Sequence, residues 1–295
     1  GASNTAVGLN SLAANTTGTQ NVAVGTLALD ANTTASNNTA VGDTALTTNT
    51  TGSKNTSVGQ SSLFLNTTGS NNVSVGQNCL RNNTTASNNT GIGFEALINN
   101  TSQNNTAVGS SALFSNTSAQ GNTAVGKDAG NAITTGNNNV AIGKSANTTT
   151  TTGSNVIVIG NAAEPSSAVV ANQITLGDSN ISGLRCNVQT ISSLSDARDK
   201  TNVIDLPEGL DFVSKLRPVK FEWATRDGNG KDGSYEHGFI AQDLQAVQKE
   251  NDADYLKMVL NDNPDRLEAG YGKLVPILTK AIQELSAKVT ALEAG

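Results

Sequence analysis

The residues able to do chemistry are few in this chain, and the densest run of them is Ser195-Asp196-Ala197-Arg198-Asp199-Lys200. It sets a hydroxyl, an amine, a guanidinium and two carboxylates within six residues. A Ser and a Lys five apart occur in many chains, so the spacing alone assigns them nothing. The single histidine, His237, stands just before Gly238; it reads first as a structural or exposed side chain and second as a catalytic one. One histidine is too few for an ordinary metal site, and Cys79 and Cys186 are far apart and match no CxxC pattern. Cys79 fills a repeat position that elsewhere holds Ala or Ser, so it reads as a small buried residue. No metal and no cofactor is expected. The stretch Asp227-Gly228-Asn229-Gly230-Lys231-Asp232-Gly233 lacks the Gly-Lys-Ser/Thr ending of a phosphate loop and reads as a hairpin turn after an extended Phe221-Glu222-Trp223.

The elements that must position these residues fall into two parts of different composition. Residues 1–194 hold 5 Lys/Arg and 6 Asp/Glu, and residues 195–295 hold 13 and 18, so net charges of −1 and −5 make up the total of −6. The first part is rich in Asn, Thr, Gly and Ser; the second has an ordinary globular mixture. Neither has the clustered basic face that nucleic-acid binding needs, and no apolar run of 18 residues predicts membrane insertion. The chain opens within a repeat at Gly1-Ala2-Ser3-Asn4 and is read as a fragment of a longer protein, with any secretion signal upstream.

The repeat is carried by a glycine at 8, 25, 42, 59, 76, 93, 109, 126, 143, 160 and 177, spaced by 17 except for the 16 between 93 and 109. An aliphatic residue precedes each one, from Val7 to Leu176, and an Asn stands three before that residue from Asn4 to Asn139. Small residues follow at Ser11, Ala28, Ala45, Ser62, Cys79, Ala96, Ala112 and Ala129, then leucines at 12, 29, 46, 63, 80, 97 and 113. The unit Asn-Thr-Ala-Val-Gly reads as a short strand ended by a glycine at positive φ, and Asn-Thr-Thr-Gly as a turn. One such coil has too few apolar side chains for a core, so coils must stack, Val over Val and Asn over Asn about 4.8 Å apart, with side-chain amides bonding along the ladder. Eleven coils give roughly 50 Å at that spacing. A coil this thin leaves one apolar stripe outside, which three chains about a common axis would bury. The expected fold is therefore mainly β: a trimeric parallel β-solenoid or β-roll over 1–177. The pattern Asn-Thr-Ala-Val-Gly-x-x-Ala-Leu resembles the head repeats of trimeric autotransporter adhesins, which form parallel β-rolls in trimers, although their usual repeat is a little shorter. Sequons follow from the composition and predict no glycosylation; the Thr positions form no flat ice-binding array; no carboxylate recurs in register, which speaks against a calcium solenoid or a glycosidase site.

Periodicity stops after Gly177. Residues 178–194 read as a β connector of one or two strands with Ile181, Leu184, Cys186, Val188 and Ile191 as apolar positions. Then come, in order, Ser195-Asp196-Ala197-Arg198-Asp199-Lys200, Leu216-Arg217-Pro218-Val219-Lys220-Phe221-Glu222-Trp223, Gly238-Phe239-Ile240-Ala241-Gln242-Asp243-Leu244 and Lys273-Leu274-Val275-Pro276-Ile277-Leu278. Together these resemble the C-terminal intramolecular chaperone of endosialidase-type phage tail spikes and fibres, over about 193–295. The resemblance implies an α+β chaperone domain over 195–295 that assembles trimers and cleaves itself before the Ser, here between Leu194 and Ser195. It implies Ser195 as nucleophile and Lys200 as general base, the amine being neutral often enough if partial burial or a nearby Arg favours that form. Asp196 and Arg198 would orient or pair, and His237 remains a possible supporting residue.

From Leu274 to Leu292 the apolar positions Val275, Leu278, Ile282, Leu285, Val289 and Leu292 step by 3 and 4, a heptad seam on a C-terminal coiled-coil helix over about 273–293. The seam alone suits a dimer as well as a trimer, and packing on its own domain is a second use for the helix. A chaperone at the end of a repetitive fibre has a physical purpose, because near-identical coils offer many registers of similar energy and a non-repetitive trimer fixes one. The expected protein is a viral, phage-like tail fibre or spike of the virion. It would be a homotrimer, working outside the cell on a host-cell surface receptor or glycan, with its chaperone domain made in the host cytoplasm. The alternative is a bacterial or viral trimeric adhesin whose terminal domain is a permanent, uncleaved trimerisation cap. A glycan-degrading enzyme would need a constellation of acids that Asp30, Asp43, Glu95, Asp128, Glu164 and Asp178 do not form.

Overall fold

The computed structural model describes residues 1–181, 183–185, 195–224 and 233–295. It divides into two compact units, Gly1–Ser179 and Asn180–Gly295.

The first unit is a parallel β-solenoid. Its strands are β1 Thr5–Val7, β2 Val22–Val24, β3 Thr39–Val41, β4 Thr56–Val58, β5 Val73–Val75, β6 Thr90–Ile92, β7 Thr106–Val108, β8 Thr123–Val125, β9 Val140–Ile142, β10 Ile157–Ile159 and β11 Ile174–Leu176. They form one eleven-stranded sheet in sequence order, each paired in parallel register with the next, Val7 against Val24 and so on along the stack. The central residue of a strand turns into the coil, and its two neighbours turn out. The core is made of those central residues together with the small residue and the leucine beyond the glycine: Ala23, Ala28 and Leu29 in one coil, Ala40, Ala45 and Leu46 in the next. Cys79 is fully buried in that column, and burial pushes its thiol up to about 11. The outer Val and Ile residues form the exposed apolar stripe, with Val7 at 58% and Ile159 at 40% exposure.

Two backbone features carry the coil. The repeat glycines lie at φ between 128° and 143° from Gly8 to Gly160, and a Cβ at Gly25 or Gly42 would sit 2.4–2.6 Å from the carbonyl oxygen of the next glycine in the column. Both conformation and stacking therefore demand glycine there. The buried leucines were not expected to share the left-handed region, yet Leu29, Leu46, Leu63, Leu80, Leu97 and Leu113 sit at φ of 49–54°. That conformation costs roughly 1–2 kcal/mol per residue and is offset by burying the side chain, worth about 1.5–3 kcal/mol.

The asparagine ladder differs from the expected one. In the column that begins at Asn4, each Oδ1 accepts the backbone N–H of the residue one coil on, at 2.8–3.0 Å. The Nδ2 donates instead to the carbonyl of the turn that closes its own coil, as from Asn38 to Gly52 at 2.9 Å. The amide-to-amide ladder belongs to the other column, Asn15 to Asn116, at 2.8–3.3 Å. The strand-side asparagine sits where the chain enters the sheet and has a backbone donor to satisfy, which takes its oxygen. The one 16-residue coil loses a turn residue, and Asn89 Nδ2 is left without a partner.

The last coils change their core. Gly130 replaces the leucine at φ 60°, and Ile133, which is 1% exposed, fills the space from the Asn column. One coil later Asn147 and Thr150 occupy these two positions fully buried, and neither amide atom of Asn147 nor Thr150 Oγ1 has a hydrogen-bond partner within the chain. An unmet buried polar group costs about 1–3 kcal/mol. Asn147→Leu, which restores the column residue, is therefore expected to stabilise this end of the stack by about 1–2 kcal/mol, the gain reduced by leucine's poorer tolerance of positive φ. Amide hydrogen exchange in residues 140–163 should slow by about 5- to 30-fold; unchanged or faster exchange would mean that the polar pair is satisfied by bound water.

The second unit has small α and β elements: α1 Leu210–Lys215, β12 Val219–Glu222, β13 Tyr235–Gly238, α2 Ala241–Glu250, β14 Val259–Leu260, β15 Glu268–Ala269 and α3 Leu274–Glu293. β12 and β13 pair antiparallel, Val219 against Gly238 and Glu222 against Tyr235, and Gly233 N–H bonds Trp223 O at 2.9 Å. This pairing is the hairpin that the glycine-rich stretch predicts, although most of the turn, residues 225–232, lies outside the described residues. Phe212, Leu244, Ala253, Met258, Leu274 and Ile277 form the core. Of the connector, Ile181 and Leu184 are exposed and in no strand, while Cys186, Val188 and Ile191 lie outside the described residues. Among the described residues no helix is long and apolar enough to cross a membrane.

Helix α3 has two faces. Leu274, Ile277 and Ala281 are buried in the unit's own core, while the heptad positions Val275, Leu278, Ile282, Leu285, Val289 and Leu292 are all exposed in the single chain, Ile282 at 67%. Packing on its own domain and an outward seam are both present.

Candidate functional site

The run from Ser195 to Lys200 folds as one turn of 3₁₀ helix, Ala197–Asp199, capped at its start by Asp196. The Asp196 carboxylate accepts the Arg198 backbone N–H at 2.9 Å and its Nε at 3.0 Å, and pairs with Nη2 at 2.6 Å. The side-chain bond from Arg198, aided by its backbone N–H, holds the Asp196 carboxyl below the usual carboxylate range, and Asp196 in turn raises Arg198. Lys200 N–H closes the turn on Ala197 O at 3.2 Å. The chain thus doubles back, and Lys200 Nζ donates to Ser195 Oγ at 2.6 Å and to Ser195 O at 3.1 Å.

The contact sets an amine and a hydroxyl within hydrogen-bond distance of each other. Asp196 and Arg198 bond to each other within the turn. Lys200 is exposed, and the guanidinium nearest in sequence is engaged by Asp196. Leu194, the residue before the expected cut, lies outside the described residues. His237 sits exposed on β13 opposite Lys220, and the Ser195–Lys200 contact is made without it. No group of three or more His, Cys, Asp or Glu placed to hold a metal is found among the described residues.

The other motifs build the frame. Phe221 and Trp223 meet edge to face at 5.2 Å, and Trp223 Nε1 donates to Glu236 Oε2 across the hairpin at 2.8 Å. Arg217 reaches Asp243 at the start of α2 at 3.4 Å. At Gly238 a Cβ would lie 2.4 Å from the Tyr271 hydroxyl, which accepts Phe239 N–H at 3.2 Å, so a larger residue there would displace that hydroxyl. Tyr271, just ahead of α3, was not singled out from the sequence. Nor was Glu284, whose carboxylate accepts Leu210 N–H at 2.8 Å and caps α1 from 74 residues away. Tyr255 bonds Glu208, and its hydroxyl is pushed up to about 12, first by desolvation and then by that carboxylate.

Residues 195–252 match the family model of a peptidase family described as the chaperone of endosialidase. The match opens on Ser195 and takes in the first three of the four motifs, with α3 beyond it. No curated protein and no solved structure matches the chain.

Proposed function

We propose that the segment from Ser195, an endosialidase-type chaperone, folds the chain as a trimer and then cuts the Leu194–Ser195 bond, releasing the β-solenoid as part of a phage-like tail fibre or spike. The observation that carries this reading is the 2.6 Å contact between Lys200 Nζ and Ser195 Oγ at the first residue of the family match.

In the proposed reaction the neutral Lys200 amine takes the Ser195 hydroxyl proton, and Oγ attacks the Leu194 carbonyl carbon. A C–O bond forms, the C–N bond to Ser195 breaks, and the proton passes to the departing nitrogen. Water then hydrolyses the ester, leaving a Leu194 carboxylate and restoring the Ser195 hydroxyl. Asp196 and Arg198 are positioning residues that hold the turn. Cleavage after assembly would remove the part of the fibre from which refolding starts and leave the product kinetically trapped. In this reading the protein is a homotrimer of a virion, facing a host-cell receptor or glycan outside the cell, with its chaperone made in the host cytoplasm.

The test is intact mass and a denaturing gel of freshly made chain. Wild type should give two fragments divided at 194/195, and Ser195→Ala one full-length chain. A single full-length species in both would leave the terminal unit as a permanent trimerisation cap, the alternative reading.

A further inference from the structure

The outer surface of the shaft departs from its repeat over four coils. Phe64, Phe94 and Phe114 are the only aromatic residues among residues 1–177, and they fall in the four consecutive coils that begin at β4 to β7. One column, the residue after the buried leucine, reads Ala13, Asp30, Thr47, then Phe64, Arg81, Ile98, Phe114, then Asn131. Since Ala, Asp, Thr and Asn serve at the same place, stacking does not require the bulky residues. Of these Phe114 is 36% exposed, while Phe64, Arg81 and Ile98 are half-buried; Phe94, in the separate column that follows the repeat glycine, is 47% exposed.

This column lies on the face away from the aliphatic stripe. Ser57 and Ser74, central in β4 and β5, reach across the core to the carbonyls of Ser62 and Cys79 at 2.8 Å. The outward residues of the strand therefore leave on one side, and the residue after the leucine on the other. The polar groups around the patch are ordered. Arg81 lies 5.2 Å over the Phe64 ring and donates to Asn82 Oδ1 at 3.3 Å. Asn82 donates to Asn99 at 3.1 Å, Asn99 to Phe114 O at 3.0 Å, and Gln77, in the column of Phe94, to Gln60 at 3.1 Å.

We propose that this face binds an oligosaccharide, its ring faces on Phe64 and Phe114 and its hydroxyls or acid groups on the Arg81 guanidinium and the neighbouring amides. Four stacked coils span about 15–20 Å, the length of a few sugar units. A patch of a few side chains falls far short of the roughly 800 Å² per partner of a stable protein interface, and the aliphatic stripe, present in every coil, is the surface suited to a second copy. Aromatic faces beside fixed polar donors are how small polar ligands with apolar faces are held. The proposal rests on the host-glycan part of the proposed function, to which it gives a site, and does not depend on cleavage.

The test is an array of neutral and acidic oligosaccharides probed with the full chain, followed by titration of the best binder. The variants borrow what neighbouring coils carry: Phe64→Thr, Arg81→Thr and Phe114→Asn. The expected result is binding by wild type and at least a tenfold loss in each variant, with oligomeric size and cleavage unchanged. No saccharide bound by wild type, equal binding by the variants, or variants that lose oligomeric state instead would each overturn it, the last by making the face a contact between copies.

Discussion

Lys200→Met should slow cleavage at 194/195 by about 10²–10⁴-fold, the range removed when a positioned base is lost, with the oligomeric state unchanged. Methionine keeps the length of the side chain and deletes the amine that meets Ser195 Oγ at 2.6 Å. The side chain is exposed, so its loss leaves no cavity and no unmet buried group. Lys200→Arg separates two roles. Arginine keeps the positive charge but does not give up its proton in a protein, so a base leaves the arginine variant as slow as the methionine one. If Lys200 acts only as a charge beside the developing oxyanion, the arginine variant keeps most of the rate. The measurement is the time course of fragment appearance by intact mass after synthesis. Unaltered cleavage in Lys200→Met would remove Lys200 from the reaction and return attention to other groups near Ser195.

The shaft was legible because its signal is periodic. Each repeat glycine directly follows a strand, and Cys79 and the leucines from Leu29 to Leu113 are buried as read. What periodicity could not show is the backbone state of a leucine, since a buried Leu normally implies strand or helix, and here the same side chain enters the core from a left-handed turn. The partners of the two Asn columns were also beyond it, because repetition says which residues stack but not whether an amide meets an amide or a backbone N–H. In the terminal unit the order of motifs pointed to the frame. The contact of Ser195 with Lys200 did not follow from their spacing, as five extended residues would separate them by about 17 Å. The local clue is Asp196 two before Arg198, an Asx-type turn that folds the chain back. Glu284 on Leu210 N–H had no clue at all, being 74 residues distant.

If the protein assembles as the proposed trimer, Ile282→Asp should convert it to a monomer without unfolding the terminal unit. The two faces of α3 make these separable. Leu274, Ile277 and Ala281 hold the helix to its own core, whereas Ile282 is 67% exposed in the single chain, so an aspartate there meets only water until copies associate. In an assembled seam the substitution removes about 1.5–3 kcal/mol of burial from each chain and sets three carboxylates against one another on an apolar axis. The total, on the order of 6 kcal/mol or more per trimer, is at least a 10⁴-fold weaker association at 1.4 kcal/mol per tenfold. Sedimentation at micromolar concentration reads the state, and circular dichroism reads the fold. Ile277→Asp is the contrasting variant, expected to lose the fold because that position is fully buried. A trimer persisting in Ile282→Asp would show that the seam does not hold the copies together and leave the aliphatic stripe of the shaft as the assembling surface. If dissociation also stops the cut at Leu194–Ser195, then Lys200, exposed in one chain, works in surroundings that only assembled copies supply. Cleavage would then report that the fibre has found its register.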